Sequence, residues 1–181
     1  WVVKSQIHAG GRGAGRFITP LNNKGGVQIV NSKKEAVDIA KAMLHNTLVT
    51  KQTGPLGKKV NRIFIEEGCQ IEREYYLSFL IDRNSSKLMM IVSANGGMDI
   101  EDIAEKNPEK IHNVYFPTLQ SFVINDDIKN VLKLNNDQFE QFTSIINKLG
   151  RAFVELDAST IEINPLVLNK SGQLFLLDAK I

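Results

Sequence analysis

The sequence is poor in cysteine: Cys69 is the single one in 181 residues. One thiol closes no internal disulfide, so the fold must be held by its core, and such usage suits a reducing compartment. Long apolar runs are missing as well. None approaches the ~18 residues that span a bilayer, and no signal-peptide pattern opens the chain. Nor is there a block of one charge: 22 basic and 20 acidic residues give a net charge of +2, mixed along the chain. That mixture lacks the basic footprint of a nucleic-acid binder, and the pairs Lys33-Lys34 and Lys58-Lys59 read as solvated surface. What is present is an ordinary globular composition, 43% hydrophobic and 23% charged. The chain is long enough for one large domain or two small ones.

Period and punctuation divide it into mixed strands and helices. Trp1 to Ile7 reads as a strand, followed at once by a glycine-rich loop, and GGVQIV at 25–30 reads as the next strand. Ser32 and Glu35 fit a capping box, with Ala36, Ile39, Ala40, Met43 and Leu44 at helical spacing as far as about His45. TLVTKQT predicts a short strand and GPLGKK a turn. Residues 60–67 and 73–82 predict strands, and RNSSK turns the second into LMMIVS at 88–93. ANGGMD is a loop whose Asp99 can cap a short helix through Glu105, and VYF at 114–116 is a further strand. From Asn125 two helices follow, the second with Phe139, Phe142, Ile145, Ile146, Leu149, Phe153 and Leu156 on one face. Two β runs, STIEINPLVL and LFLLDAKI, close the sequence around NKSGQ. Hairpins dominate and no internal repeat is visible, so the expected class is α+β rather than a doubly wound parallel sheet. A chain that opens on a buried strand from its first residue also reads as a fragment of something longer.

The stretch GGRGAG at 10–15 is the first to suggest chemistry. A P-loop requires G-x-x-x-x-G-K-[ST]. Gly10 and Gly15 have that spacing, but Arg16 and Phe17 stand where a lysine and a hydroxyl would meet phosphate and metal. A dinucleotide loop requires G-x-G-x-x-G. Gly11 and Gly13 begin one, and Arg16 occupies its third glycine. Both designs also present the free amides of a helix directly after the loop, whereas the next element here reads as a strand. What remains is a flexible glycine hairpin that can fold its backbone amides over a polyphosphate. Lys4, among Val2, Val3 and Ile7, suits equally a sheet edge or a point charge on that phosphate.

The C-terminal hairpin carries a second signal. With NKSGQ (169–173) as its loop, Leu168 faces Leu174 and paired residue numbers sum to 342. That register sets Asn164 opposite Asp178 and Glu162 opposite Lys180, with Glu162, Asn164 and Asp178 on one face and Ile161 and Ile163 on the other. Mg²⁺ takes hard oxygens, commonly one or two carboxylates together with substrate phosphates and water. An ordinary hairpin with a polar outer face is the competing reading. The apolar runs IEI and FLLDA argue against full exposure, and gathered oxygen groups repel one another unless a cation is present.

WVVKSQIHAGGRG, FIEEGCQIEREYYLSFLIDR, GGMDIE and IEINPLVLNKSGQLFLLDAK, in that order, resemble the succinyl-CoA synthetase β-subunit family of ATP-grasp enzymes. The likeness runs from Trp1 to Ile181 and is weakest between about Thr118 and Ser144. It implies an ATP-grasp fold of two small α+β subdomains, residues 1–66 and 67–181, with the nucleotide between them under the glycine loop. It implies that Lys4, Gly11, Arg12 and Gly13 bind the phosphates of ATP or GTP. Glu66, Cys69 through its backbone, and Glu74 at the ribose are implied as further nucleotide contacts. Asn164 and Asp178 match the family's Mg²⁺ ligands, the pair that the hairpin register also brings together. Glu162 matches an acid beside the phosphoryl-transfer centre that orients an incoming phosphohistidine.

The activity implied is reversible: succinate, CoA and ATP give succinyl-CoA, ADP and phosphate. The route is a succinyl phosphate and a phosphohistidine on a partner α subunit, which none of His8, His45 and His112 matches. The family assembles as an αβ heterodimer or its dimer, in bacterial cytoplasm or the mitochondrial matrix, with no role for nucleic acid or membrane. Two departures stand out. Residues 14–24 form a longer segment than the family usually has, and the family's opening stretch and C-terminal CoA-ligase domain are missing from these 181 residues. The expectation is an ATP-grasp domain that alone binds nucleotide at most.

Two rival readings stay open. A related ligase taking another acid, such as malate, would carry the same motifs, because the acid-recognising residues are not in this sequence. A nucleic-acid-binding module would use Tyr75, Tyr76 and Phe79 for stacking, although in an alternating strand these read first as core.

Overall fold

The computed structural model describes residues 1–21 and 24–181 and divides into two compact units, Trp1–Cys69 and Gln70–Ile181. Asn22 and Asn23, part of the long segment noted at 14–24, lie outside the described residues.

The first unit runs β1 (Val2–Gln6), β2 (Arg16–Phe17), β3 (Val27–Ile29), α1 (Lys33–Met43), β4 (Thr47–Val49), β5 (Lys58–Lys59) and β6 (Arg62–Glu66). β1 is the central strand of an antiparallel sheet ordered β3-β1-β6. Its alternation sends Val3 and Ser5 fully inside, while Val2, Lys4 and Gln6 share the less buried face. Lys4 is therefore not an edge residue. Ala36 and Met43 of α1 close the core with Val3, Val30, Leu48 and Val60. Ser32 caps the helix by accepting from the Glu35 N–H at 3.1 Å. The Glu35 carboxylate returns to the N–H of Asn31 at 3.1 Å rather than to that of Ser32, so the reciprocal half of the capping box is displaced by one residue. A second small sheet, β2-β4-β5, departs from the sequence reading. The expected strand TLVTKQT stops at Val49, the turn GPLGKK ends in β5, and β2 emerges from the long segment after the glycine loop.

The second unit runs β7 (Ile71–Asp82), β8 (Lys87–Ser93), α2 (Ile100–Lys106), β9 (His112–Phe116), α3 (Asp126–Leu132), α4 (Asn136–Glu155), β10 (Thr160–Asn169), β11 (Leu174–Leu176) and β12 (Ala179–Lys180). The strands form one antiparallel sheet, β11-β10-β7-β8-β9, with β12 also paired to β10. Helix α4 lays Phe142, Ile146 and Phe153 onto a core shared with Phe79, Phe116 and Phe122. Leu156, expected on the same face, lies just past the helix end and is 63% exposed. Asp99 holds the N-cap position of α2 but makes no side-chain capping bond. Tyr75, Tyr76 and Phe79 are all buried, so none is available as a platform for nucleic-acid bases. Among the described residues no helix is long and apolar enough to cross a membrane. The mixed α and β architecture built from hairpins is the α+β class expected from the pattern.

Candidate functional site

In the first unit the register of β1 against β6 pairs Val2 with Glu66 and Lys4 with Phe64, which puts Lys4 and Glu66 diagonally adjacent on one face. Their side chains form an ion pair at only 14% and 23% exposure. Glu66 Oε1 is shut off from solvent, so the ammonium of Lys4 is what compensates its charge.

The glycine loop leaves β1 and leads into β2, a strand, so no helix N-terminus follows it. Gly11 has φ +69°, a conformation that side chains other than glycine adopt only with strain. Arg12 organises the loop. Its carbonyl accepts from the N–H groups of Gly15 (3.2 Å) and Gly26 (2.8 Å), and its Nη1 donates to the Ser5 carbonyl at 3.1 Å. A Cβ at Gly25 would stand 2.0 Å from the Gly13 carbonyl oxygen, so the loop can lie against 25–26 only because that residue is glycine. The sequence pattern suggests a strand from Gly25, but β3 begins at Val27 and the glycine pair instead makes room for the loop. Cys69, half-buried, ends the unit.

In the second unit the hairpin has the expected register: Leu168 opposite Leu174 and Leu166 opposite Leu176, then Ile163 opposite Ala179 and Glu162 opposite Lys180. The ladder opens between these pairs, at the cis Asn164-Pro165 bond, where β10 also slips one residue against β7. Asn164 and Asp178 remain joined, the Asn164 N–H donating to the Asp178 carbonyl at 3.1 Å. The Asn164 side chain is held by a distant loop. Its Oδ1 accepts from the Gly97 N–H at 2.8 Å and its Nδ2 donates to the Met98 carbonyl at 2.9 Å. Gly97 has φ +72°, and a Cβ there would sit 2.5 Å from Glu74 Oε2, so Glu74 borders the same loop.

Glu162 accepts from Lys180 Nζ at 2.7 Å, whereas Asn164 and Asp178 are joined through the backbone. Among the described residues no group of three or more His, Cys, Asp or Glu is arranged to hold a metal. One carboxylate and one amide oxygen with a lone pair to spare fit Mg²⁺, which fills its remaining positions from phosphate and water. Tyr76 borders Glu162, lying one position along the same face of β7 from Ser78, the residue that pairs with Glu162. Burial raises the pKa of its phenol. A hydrogen bond with Ser78 acts the other way, and the negative charges of Glu162 and Glu101 raise it further. The sequence suggests Tyr76 as core or as a stacking platform, and nothing local in it signals this neighbourhood with Glu162.

Residues 1–168 match the ATP-grasp domain family. The β subunit of ADP-forming succinate–CoA ligase from Rhodopseudomonas palustris (strain HaA2) is 49% identical over 183 residues, covering 99% of this chain and 46% of that protein. Its counterpart from Acidiphilium cryptum (strain JF-5) is 47% identical over 184 residues, covering 100% of this chain and 46% of that protein. The chain thus spans about half the length of the curated relatives it matches. In solved structures, ATP citrate lyase from Methanothrix soehngenii in complex with citrate and coenzyme A aligns with 98% of this chain and 37% of its own, at a TM-score of 0.68 and 18% identity, a likeness of fold.

Proposed function

This chain belongs to the ATP-grasp domain family, and from that premise we propose that it is the nucleotide- and Mg²⁺-binding part of a succinate–CoA ligase β subunit. The observation that carries the reading is the adjacency of Asn164 and Asp178 across the hairpin, with the Asn164 side chain held by the Gly97–Met98 backbone. The names and near-half identity of the relatives favour succinate over another acid, and ATP over GTP.

In this reading Lys4 and the backbone amides of Gly11, Arg12 and Gly13 neutralise and orient the polyphosphate. Glu66 holds Lys4 in place, Cys69 meets the nucleotide through its backbone, and Glu74 takes the ribose hydroxyls. Asn164 and Asp178 hold Mg²⁺, which supplies charge neutralisation on the phosphates. Glu162, steadied by Lys180, orients the phosphohistidine of an α-subunit partner. Positioning and electrostatics do most of the work, as is general for phosphoryl transfer. The assembled αβ enzyme, in a bacterial cytoplasm, interconverts succinate, CoA and ATP with succinyl-CoA, ADP and phosphate.

The test is a thermal shift. Mg·ATP at a hundredfold excess over Kd is expected to stabilise the chain by about 2.7 kcal/mol. Asp178→Ala or removal of Mg²⁺ abolishes most of that gain. Absence of a shift at millimolar Mg·ATP, both in this chain and in a full-length α/β pair, would sink the reading.

A further inference from the structure

A groove of about 700 Å³ in the first unit is lined by Gln6, Ile7, His8, Lys58, Lys59, Asn61 and Arg62. Among the described residues it has no carboxylate in its wall, and none of Lys58, Lys59 and Arg62 forms an ion pair. Lys58, Lys59 and Arg62 thus border one concavity, and among the described residues no ion pair compensates them.

Their backbones are fixed independently. Lys58 and Lys59 pair with Leu48 and Thr47 across β4 and β5. The next residue, Val60, is fully buried, accepts from the His45 N–H at 2.7 Å and donates to the Asn46 carbonyl at 2.8 Å. Arg62 lies opposite Gln6 in the β1–β6 ladder. Like charges on a solvated face can splay apart, but these line one groove from two strand ladders, where a bound anion would relieve their mutual repulsion.

We propose that this groove binds a small ligand carrying a diphosphate group. The planar fork of Arg62 takes two oxygens of one phosphate, and Lys58 and Lys59 act as point charges on the next. Gln6, Ile7, His8 and Asn61 complete the lining among the described residues, and they suit the organic body of a phosphate ester. The site is separate from the nucleotide reading above, because Lys4, Glu66 and residues 10–15 do not line it.

The test uses the chain itself, with inorganic pyrophosphate titrated in the absence of metal and followed by amide NMR. Expected are shifts centred on residues 6–8 and 58–62. Their apparent Kd should rise about tenfold or more both in high salt and in the Lys58→Gln/Lys59→Gln/Arg62→Gln variant. Arg62→Lys, which keeps the charge and loses the fork, gives an intermediate weakening and decides the matter if the triple variant does not fold. Lys4→Met leaves the groove shifts in place. Three results overturn the proposal: no groove shifts at millimolar pyrophosphate, shifts centred instead on Lys4 and the glycine loop, or citrate binding as tightly as pyrophosphate, which would mark a general polyanion surface.

Discussion

Lys4 and Glu66 form a pair whose value to the fold has to be separated from its value to a ligand. Both side chains are largely withdrawn from water, and Glu66 Oε1 is fully shielded. Lys4→Met leaves that carboxylate without its cation, which at this partial exposure costs about 1–3 kcal/mol. Adding Glu66→Gln should restore most of the loss, and a denaturation double-mutant cycle measures it. Equal stability of wild type and Lys4→Met would mean that the pair is made only for the ligand. Lys4 stood out in the sequence as a lone charge among apolar strand residues. Its partner did not, because the pairing depends on how β1 registers against β6, a long-range fact with no local pattern. Tyr75 offers a second test. Its hydroxyl donates to the Leu132 carbonyl at 3.1 Å. Burial raises its pKa above the ordinary 10.0, against the lowering effect of Arg73 and together with the raising effect of Glu72. The folded state thus favours the neutral phenol. This contribution is fully present below about pH 10 and is lost as pH rises through the raised value. Tyr75→Phe should flatten the fall in stability above pH 10, as read by denaturant midpoints along a pH series, and an unchanged slope would refute it.

At the level of elements, legibility followed length and local punctuation. The β10–β11 hairpin could be registered in advance because a five-residue polar loop sits between two strongly patterned runs. The sheet β2-β4-β5 could not, since strands of two or three residues carry no period to read. The loop that clamps Asn164 was visible as GGMD, but its contact lies 67 residues away through Gly97. Helix α4 showed its apolar face plainly, yet one position on it runs against propensity. Gly150 lies mid-helix, where alanine would ordinarily gain about 1 kcal/mol. A Cβ there would stand 2.5 Å from the ring of Phe122, which is itself packed against Phe79 and Phe116 at centroid distances of 6.3 and 5.3 Å. A ring locked in an aromatic cluster cannot retreat cheaply, so the clash outweighs the propensity. Gly150→Ala should destabilise the protein by about 1–3 kcal/mol, the usual range for overpacking. A rise in melting temperature would show that Phe122 has room to move.

At the scale of the molecule, the two units keep separate hydrophobic cores. One gathers Val3, Met43, Leu48 and Val60; the other gathers Phe79, Met90, Phe142 and Ile161. Neither cluster borrows a buried residue across the division at Cys69 and Gln70. A unit of 69 residues buries a smaller fraction of its surface than a larger domain and is correspondingly marginal. The first unit should therefore open at lower free energy than the second. Leu48 is completely buried in it, and Leu48→Ala should cost about 2–5 kcal/mol. If the cores are energetically separate, native-state hydrogen exchange will show that loss in β1, β4 and α1 while the amides of β7, β8 and β10 keep their protection. Phe142→Ala, also fully buried, should give the reverse pattern. Equal loss of protection in both units from either substitution would show one cooperative fold and overturn the prediction.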